Sequence, residues 1–349
     1  MINQVKVSRA PSDTARWQRI LKRLKLWPMS ATTLIVAVLV LGASIYLAHT
    51  PISHGQPAST ANKPAAKKTD NSAVAPSCNG DKQTTALFAD CPSFALNFAA
   101  TQSGPLTDQY FNISNGAPDV NQEAEFYTDN LQNLQIDNGS LQLKAIRQSV
   151  QGYSYTSARI DTKGKEDFKY GKLVIRATMP DGIGTWPAIW MLPSNPKYAS
   201  LSPPTNFYRY LNDGEIDIAE AIGTEPNVVY GIAHSLAYPP DGNNRNYYNT
   251  ITLPGNEKAY HDYELDWTPT NLTFLVDGHA FFSISKQKGA DYRSWPYDQQ
   301  FYLIINLALG GSWGGRDRAQ FPPDGVNSQA LPATMKVKSI NYYPYVGPR

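Results

Sequence analysis

Two cysteines, Cys78 and Cys91, are all that 349 residues contain, so the chain has room for a single bridge. No histidine or further cysteine sits beside them, which favours a local disulfide over a shared metal ion; it would staple the entry to a domain and take no part in chemistry. Long amphipathic helical patterns are missing, and there is no internal repeat. The glycine run Gly310-Gly311-Ser312-Trp313-Gly314-Gly315 lacks the Lys-Ser/Thr pair and the following helix of a phosphate cradle. Net charge is scarce as well, at only +2.

That small value hides an asymmetry. Lys6, Arg9, Arg16, Arg19, Lys22, Arg23 and Lys25 crowd residues 1–29 against a single acid, Asp13. Ser30 to Leu47 then carries no charge and is mostly Ala, Leu, Val and Ile, long enough to span a bilayer as a helix with the basic flank left in the cytoplasm. Tyr46-Leu47-Ala48 fits a processing site poorly, so residues 30–48 read as an uncleaved transmembrane anchor, with a cleaved secretory signal as the alternative. Residues 49–77 are rich in Ala, Pro, Ser, Thr, Asn and Lys with almost no large apolar side chain, and read as a disordered tether. Residues 78–349, the remaining domain, are expected outside the cytoplasm. Because the one dense cluster of basic residues precedes the span, no nucleic-acid partner is expected for this domain.

From Phe94 onward the chain consists of short runs with period-two alternation. Ser140 to Arg147, Lys172 to Thr178, Thr273 to Val276 and Phe301 to Asn306 are examples, separated by Gly, Pro, Asn and Asp. This is the pattern of an all-β sandwich.

One heptapeptide carries chemistry: Gly214-Glu215-Ile216-Asp217-Ile218-Ala219-Glu220. Ile216 and Ile218 share one face of a strand, and Glu215 and Asp217 share the other. Strict alternation would turn Glu220 to the isoleucine side, so the spacing predicts a β-bulge at Ile218 or Ala219 that returns it to the acids. Four effective steps of about 3.3 Å put the outer α-carbons roughly 13 Å apart, and carboxyls that lean together can approach to roughly 5 Å, the separation of a retaining glycosidase. On this reading Glu215 is the nucleophile, Asp217 its helper and Glu220 the acid/base. The plain alternative is a solvated acidic edge or a cation site.

The heptapeptide resembles the longer, bulged signature of glycoside hydrolase family 16, the laminarinase and lichenase family. Thr185-Trp186-Pro187-Ala188-Ile189-Trp190-Met191-Leu192-Pro193 resembles the block that precedes the acids there, and Tyr155-Thr156-Ser157-Ala158-Arg159-Ile160 resembles another of its strands. His261 to Pro269, Val276-Asp277-Gly278 and Phe301 to Gly311 match in order and spacing. Asn121, Glu123, Glu125 and Tyr127 look like the family's Asn-x-Glu-x-Gln-x-Tyr element, with Glu125 in the Gln place. The likeness covers roughly residues 94 to 346. It implies a concanavalin A-like jelly roll whose concave sheet carries the substrate cleft.

Trp186 and Trp190 share strand parity, and the resemblance implies that they line the donor side of the scissile bond. It also brings Asn121 and Arg159 to the cleft and places His234 there, beside Glu220 by parity. Trp313 is expected on a flexible rim as a gate or acceptor platform. For each of these a structural role is the alternative, and Trp267, His261 and Asp262 read as structural outright. Many family members hold calcium, but the matching places here are Asn97 and Lys338, and a charged lysine repels a cation. No metal and no cofactor is therefore expected. A second departure is Phe207 to Asp213, in place of the family's short Trp-Pro stretch.

The expected activity is retaining endo-hydrolysis of a β-1,3- or mixed β-1,3-1,4-glucan, with the polysaccharide and the membrane as partners. A surface polysaccharide transglycosylase using the same acids, and a non-catalytic membrane-tethered glucan-binding protein, are the rivals; an intact set of three acids speaks against the latter.

Overall fold

The apolar run Phe301–Leu309 becomes a strand buried along its whole length, as expected of a strand covered on both faces. The computed structural model describes residues 87–107, 109–118, 120–201, 211–237, 247–254, 259–315 and 324–348. All lie in the second of two units, Met1–Lys68 and Thr69–Arg349. The basic segment, the anchor, the tether, Cys78 and most of the stretch from Phe207 to Asp213 lie outside the described residues. Cys91 is disulfide-bonded. Among the described residues no helix is long and apolar enough to cross a membrane.

Seventeen strands occur among those residues: β1 (Phe94–Asn97), β2 (Asn112–Ile113), β3 (Glu125–Tyr127), β4 (Leu134–Asp137), β5 (Ser140–Val150), β6 (Tyr153–Ser157), β7 (Arg159–Asp161), β8 (Gly171–Thr178), β9 (Thr185–Pro193), β10 (Glu215–Glu220), β11 (Val228–His234), β12 (Tyr248–Thr252), β13 (His261–Trp267), β14 (Asn271–Val276), β15 (His279–Ser285), β16 (Phe301–Leu309) and β17 (Ala333–Pro344). They form two sheets. One runs β15-β14-β13-β8-β17-β5-β6-β3, with β1 on β17 and β4 on β5; the other runs β12-β11-β10-β9-β16-β7-β2. Every pairing is antiparallel except β3 with β6. The all-β sandwich expected from the alternating runs, in the jelly-roll form that the resemblance implies, is what the described residues adopt.

Period two sorts the side chains. On β16, Phe301, Leu303, Ile305, Leu307 and Leu309 enter the core between the sheets, as do Ile189 and Met191 of β9 and Ile216 of β10. From the other sheet Leu173, Ile175, Leu265, Phe274, Val337 and Ile340 meet them. Trp267 is also core, its indole N–H donating to the Tyr297 carbonyl at 3.1 Å. His261 is tied to Asp277 at 2.7 Å, a structural pairing as expected. Burying each large aliphatic side chain contributes about 1.5–3 kcal/mol, so the inner faces fix which face of the seven-stranded sheet is left to carry chemistry.

Asn97 and Lys338 have separate engagements. The Asn97 carboxamide oxygen accepts from the Ala99 N–H at 3.0 Å, and the Lys338 ammonium lies 5.4 Å from the Tyr260 ring centre. A capping amide and a lysine are not a calcium donor set.

Candidate active site

β10 enters the sheet through Gly214, whose φ of +77° suits glycine and where an added Cβ would meet the Pro296 ring at 2.6 Å. Ile216, Ile218 and Ala219 are core residues. Against β9, Asp217 pairs with Trp190 and Ala219 with Ile189; against β11, Asp217 pairs with Ile232 and Glu220 with Tyr230. Ile218 is thus the supernumerary residue of a β-bulge, where the spacing predicted one. The bulge turns Glu220 to the same face as Glu215 and Asp217.

The indole N–H of Trp186 donates to Glu220 Oε1 at 2.9 Å. His234 Nε2 lies 3.1 Å from Asp217 Oδ2. This corrects the expectation that His234 stands beside Glu220: the antiparallel register sets His234 opposite Glu215, while Glu220 faces Tyr230 four residues earlier. Glu215, Asp217 and His234 each present a donor atom within 4.8 Å of the others. Among the described residues this is the set that could hold a cation, and it is made of two of the three acids and His234.

Burial dominates the electrostatics. It pushes the Glu215 carboxyl up to about 8, with the Asp217 charge adding to it and His234 opposing. Burial likewise pushes Asp217 up to about 8, against a hydrogen bond from Glu215. Glu220 is raised well above the usual carboxylate range by burial and then by Asp217, while the Trp186 N–H and His234 pull it down. The cluster therefore keeps protons at neutral pH, and three carboxyls so close titrate as a unit. A protonated Glu220 is what an acid catalyst requires.

One strand over, Trp190 is held on two sides. Its N–H donates to Asn306 Oδ1 at 2.7 Å, and the Arg159 guanidinium lies 5.0 Å from its ring centre. Asn306 in turn donates to the Tyr127 hydroxyl at 3.2 Å, Tyr127 donates to Glu123 at 3.1 Å, and Asn121 donates to the other Glu123 oxygen at 3.3 Å. Asn121 acts through this chain and through its carbonyl, which accepts from the Ser312 N–H at 2.8 Å. The glycine run forms a single helical turn, Gly311–Gly314. Trp313 on that turn is half-buried between Trp186, at 5.6 Å, and Tyr230, at 4.8 Å, both edge-on. It is a packed part of the wall and not the flexible rim the glycines suggested.

Three contributors escaped the sequence reading. Asn306 is the one amide in an otherwise apolar strand, a signal that parity with Trp190 would have exposed. Tyr230 shares parity with His234, and Tyr248 on the edge strand lies 6.0 Å from Tyr230.

The profile described as "Glycosyl hydrolases family 16" matches residues 120–321. A β-glucanase of Rhodothermus marinus is 38% identical over 232 residues, which is 65% of this chain and 76% of that protein. The X-ray structure of the laminarinase from Rhodothermus marinus superposes with a TM-score of 0.66 and 35% identity, over 74% of this chain and 98% of that one. Glucan endo-1,3-beta-glucosidase A1 of Niallia circulans is 33% identical over 237 residues, 64% of this chain but only 32% of that protein. With the three acids on one face beneath two tryptophans, these likenesses identify the chain as a member of glycosyl hydrolase family 16, a laminarinase-like glycosidase of the endo-β-glucanase type.

Proposed function

We propose that the domain cleaves internal β-1,3 links, or the links of a mixed β-1,3-1,4-glucan, with retention of anomeric configuration. The observation that carries the reading is the bulged β10, which sets Glu215, Asp217 and Glu220 on one face. In the first half-reaction the Glu220 proton passes to the glycosidic oxygen as the Glu215 carboxylate attacks the anomeric carbon; the C–O bond to the leaving sugar breaks and a glycosyl ester forms on Glu215. In the second, the Glu220 carboxylate takes a proton from water, whose oxygen attacks the same carbon and expels Glu215. Asp217, beside Glu215 and His234, holds the nucleophile and takes part of its proton load. Trp186 orients Glu220, and Trp190, fixed by Asn306 and Arg159, offers its remaining ring face to a sugar.

The test is to incubate the full chain with laminarin, lichenan, agarose and xyloglucan, size the products, and follow the fresh reducing ends by NMR. Early β-anomers from laminarin are expected. α-Anomers, or turnover only of agarose or xyloglucan, would overturn the reading; products longer than the starting chains would favour the transglycosylase. The same proposal keeps residues 30–48 as a membrane anchor with the catalytic domain outside. Protease added to intact cells should then release an active soluble fragment by cutting within 49–77, whereas a mature form beginning near His49 would establish a cleaved signal.

A further inference from the structure

β3 is the edge strand of the ten-stranded sheet, yet two of its side chains reach β16 in the other sheet. Glu125 accepts from the Leu309 N–H at 2.7 Å, and the Tyr127 hydroxyl accepts from Asn306 Nδ2 at 3.2 Å. Tyr127 exposes only 2% of its surface, too little to touch a substrate. A buried hydroxyl in a satisfied network still constrains its neighbours.

The inventory of donors and acceptors gives this network a direction. The Trp190 indole N–H can only donate, so the Asn306 atom facing it at 2.7 Å has to be the carbonyl oxygen. The amide N–H then faces Tyr127, whose hydroxyl has to accept. Its single proton is left to go onward, to Glu123 Oε2 at 3.1 Å, with the Glu125 carboxyl beside it. Every donor from Trp190 onward therefore points the same way, toward the acids of β3. The two ends of an amide are nearly the same size, so shape alone would let Asn306 sit either way round. Reversed, it would set N–H against N–H and cost Trp190 its hydrogen bond. The Arg159 guanidinium, 5.0 Å from the ring centre, constrains the tilt of the ring but not its rotation in its own plane, which the N–H bond sets. We infer that Tyr127 is a positioning residue for substrate binding: it holds the Asn306 amide the way round that presents oxygen to Trp190, and so sets the pose of the ring that receives the sugar. The inference rests on the glucan hydrolysis proposed above.

Tyr127→Phe keeps the ring in its packing and removes only the hydroxyl. With the full chain and a linear β-1,3-gluco-hexasaccharide as substrate, this change should raise KM several-fold, up to about the tenfold that one neutral hydrogen bond is worth. kcat should stay within about twofold. Adding Asn306→Asp to Tyr127→Phe should bring KM back toward the wild-type value, because a carboxylate shows Trp190 an oxygen whichever way round it sits. A merely structural loss would not be repaired in this way. An unchanged KM in Tyr127→Phe, a kcat that falls in step with the rise in KM, or a double variant no better than the single one would overturn the inference and leave the proposed function standing. No turnover of this sugar by the wild type would overturn both.

Discussion

Glu125 is a buried carboxyl in the element that resembles the family's Asn-x-Glu-x-Gln-x-Tyr pattern, and replacing it with the amide should stabilise the protein in a pH-dependent way. The carboxyl is fully buried. One oxygen accepts from the Leu309 N–H at 2.7 Å. Burial, followed by repulsion from Glu123, raises its pKa well above the ordinary value, against the hydrogen bonds from the Leu309 N–H and the Tyr127 hydroxyl. The folded chain therefore binds a proton that the unfolded chain releases near pH 4.3, so this group's stabilising contribution is present below that pH. It is lost above it at about 1.4 kcal/mol per pH unit until the folded pKa is passed. Glu125→Gln removes that slope and keeps an oxygen for Leu309. The stability gap between variant and wild type should widen as pH rises between the unfolded and the folded pKa, by at most about 1.4 kcal/mol per unit, which for a domain of this size is a melting-temperature gap growing by up to roughly 3–6 °C per unit. Thermal unfolding of both proteins in a pH series from 5 to 8 reads this directly, because the active-site carboxyls contribute equally to both. Parallel curves, or a variant less stable at every pH, would refute the argument.

Three further outcomes are expected. Glu215→Gln and Glu220→Gln should each abolish nearly all turnover with the fold intact; with an activated aryl glycoside, azide should rescue Glu220→Gly as a β-glycosyl azide and Glu215→Gly as the α-product, and ordinary activity in both Gln variants would refute the assignment. The nucleophile must lose its proton, so kcat/KM should climb with pH through a limb set by the Glu215 and Asp217 pair near 8 and not near 4; His234→Asn should move that limb upward, since His234 opposes the rise, and a limb below pH 5 would contradict it. Calcium should leave the melting temperature unchanged relative to chelator, given Lys338 and the capping role of Asn97, whereas a ligand at a hundred times its Kd would add about 2.7 kcal/mol; a calcium-dependent rise that vanishes on mutating Asn97 would show the comparison of termini to be wrong.

What could be read from the sequence was local. The bulge at Ile218 was legible because four apolar and acidic alternations leave Glu220 one step out of phase, and the core strands were legible from period two alone. The partner of His234 was not, because it depends on how two strands register across the bulge. The support of Trp190 was hidden for a different reason: Asn306 and Tyr127 are 179 residues apart, and nothing in either segment names the other. Trp313 was misplaced because a glycine run reads as a loose loop, while here it gives the turn room to pack against Trp186. Sheet order was beyond reach, since β8 lies between β13 and β17 only because distant apolar faces match.

Ile218 leads a double life with a consequence for how this motif tolerates change in length. The hydrogen-bond ladder does not count it, yet the core does, for its side chain is among the buried cluster. Excising it would shorten the motif to Glu-Ile-Asp-Ala-Glu, in which plain alternation keeps all three acids facing outward and Glu220 still opposite Tyr230; the loss would be a void in the packing and the local twist a bulge supplies. Excising Ile216 instead would leave Glu-Asp-Ile-Ala-Glu and swing the middle acid into the apolar layer. The strand thus has something like a reading frame, in which one deletion is nearly silent for catalysis and another, two residues away, is nonsense.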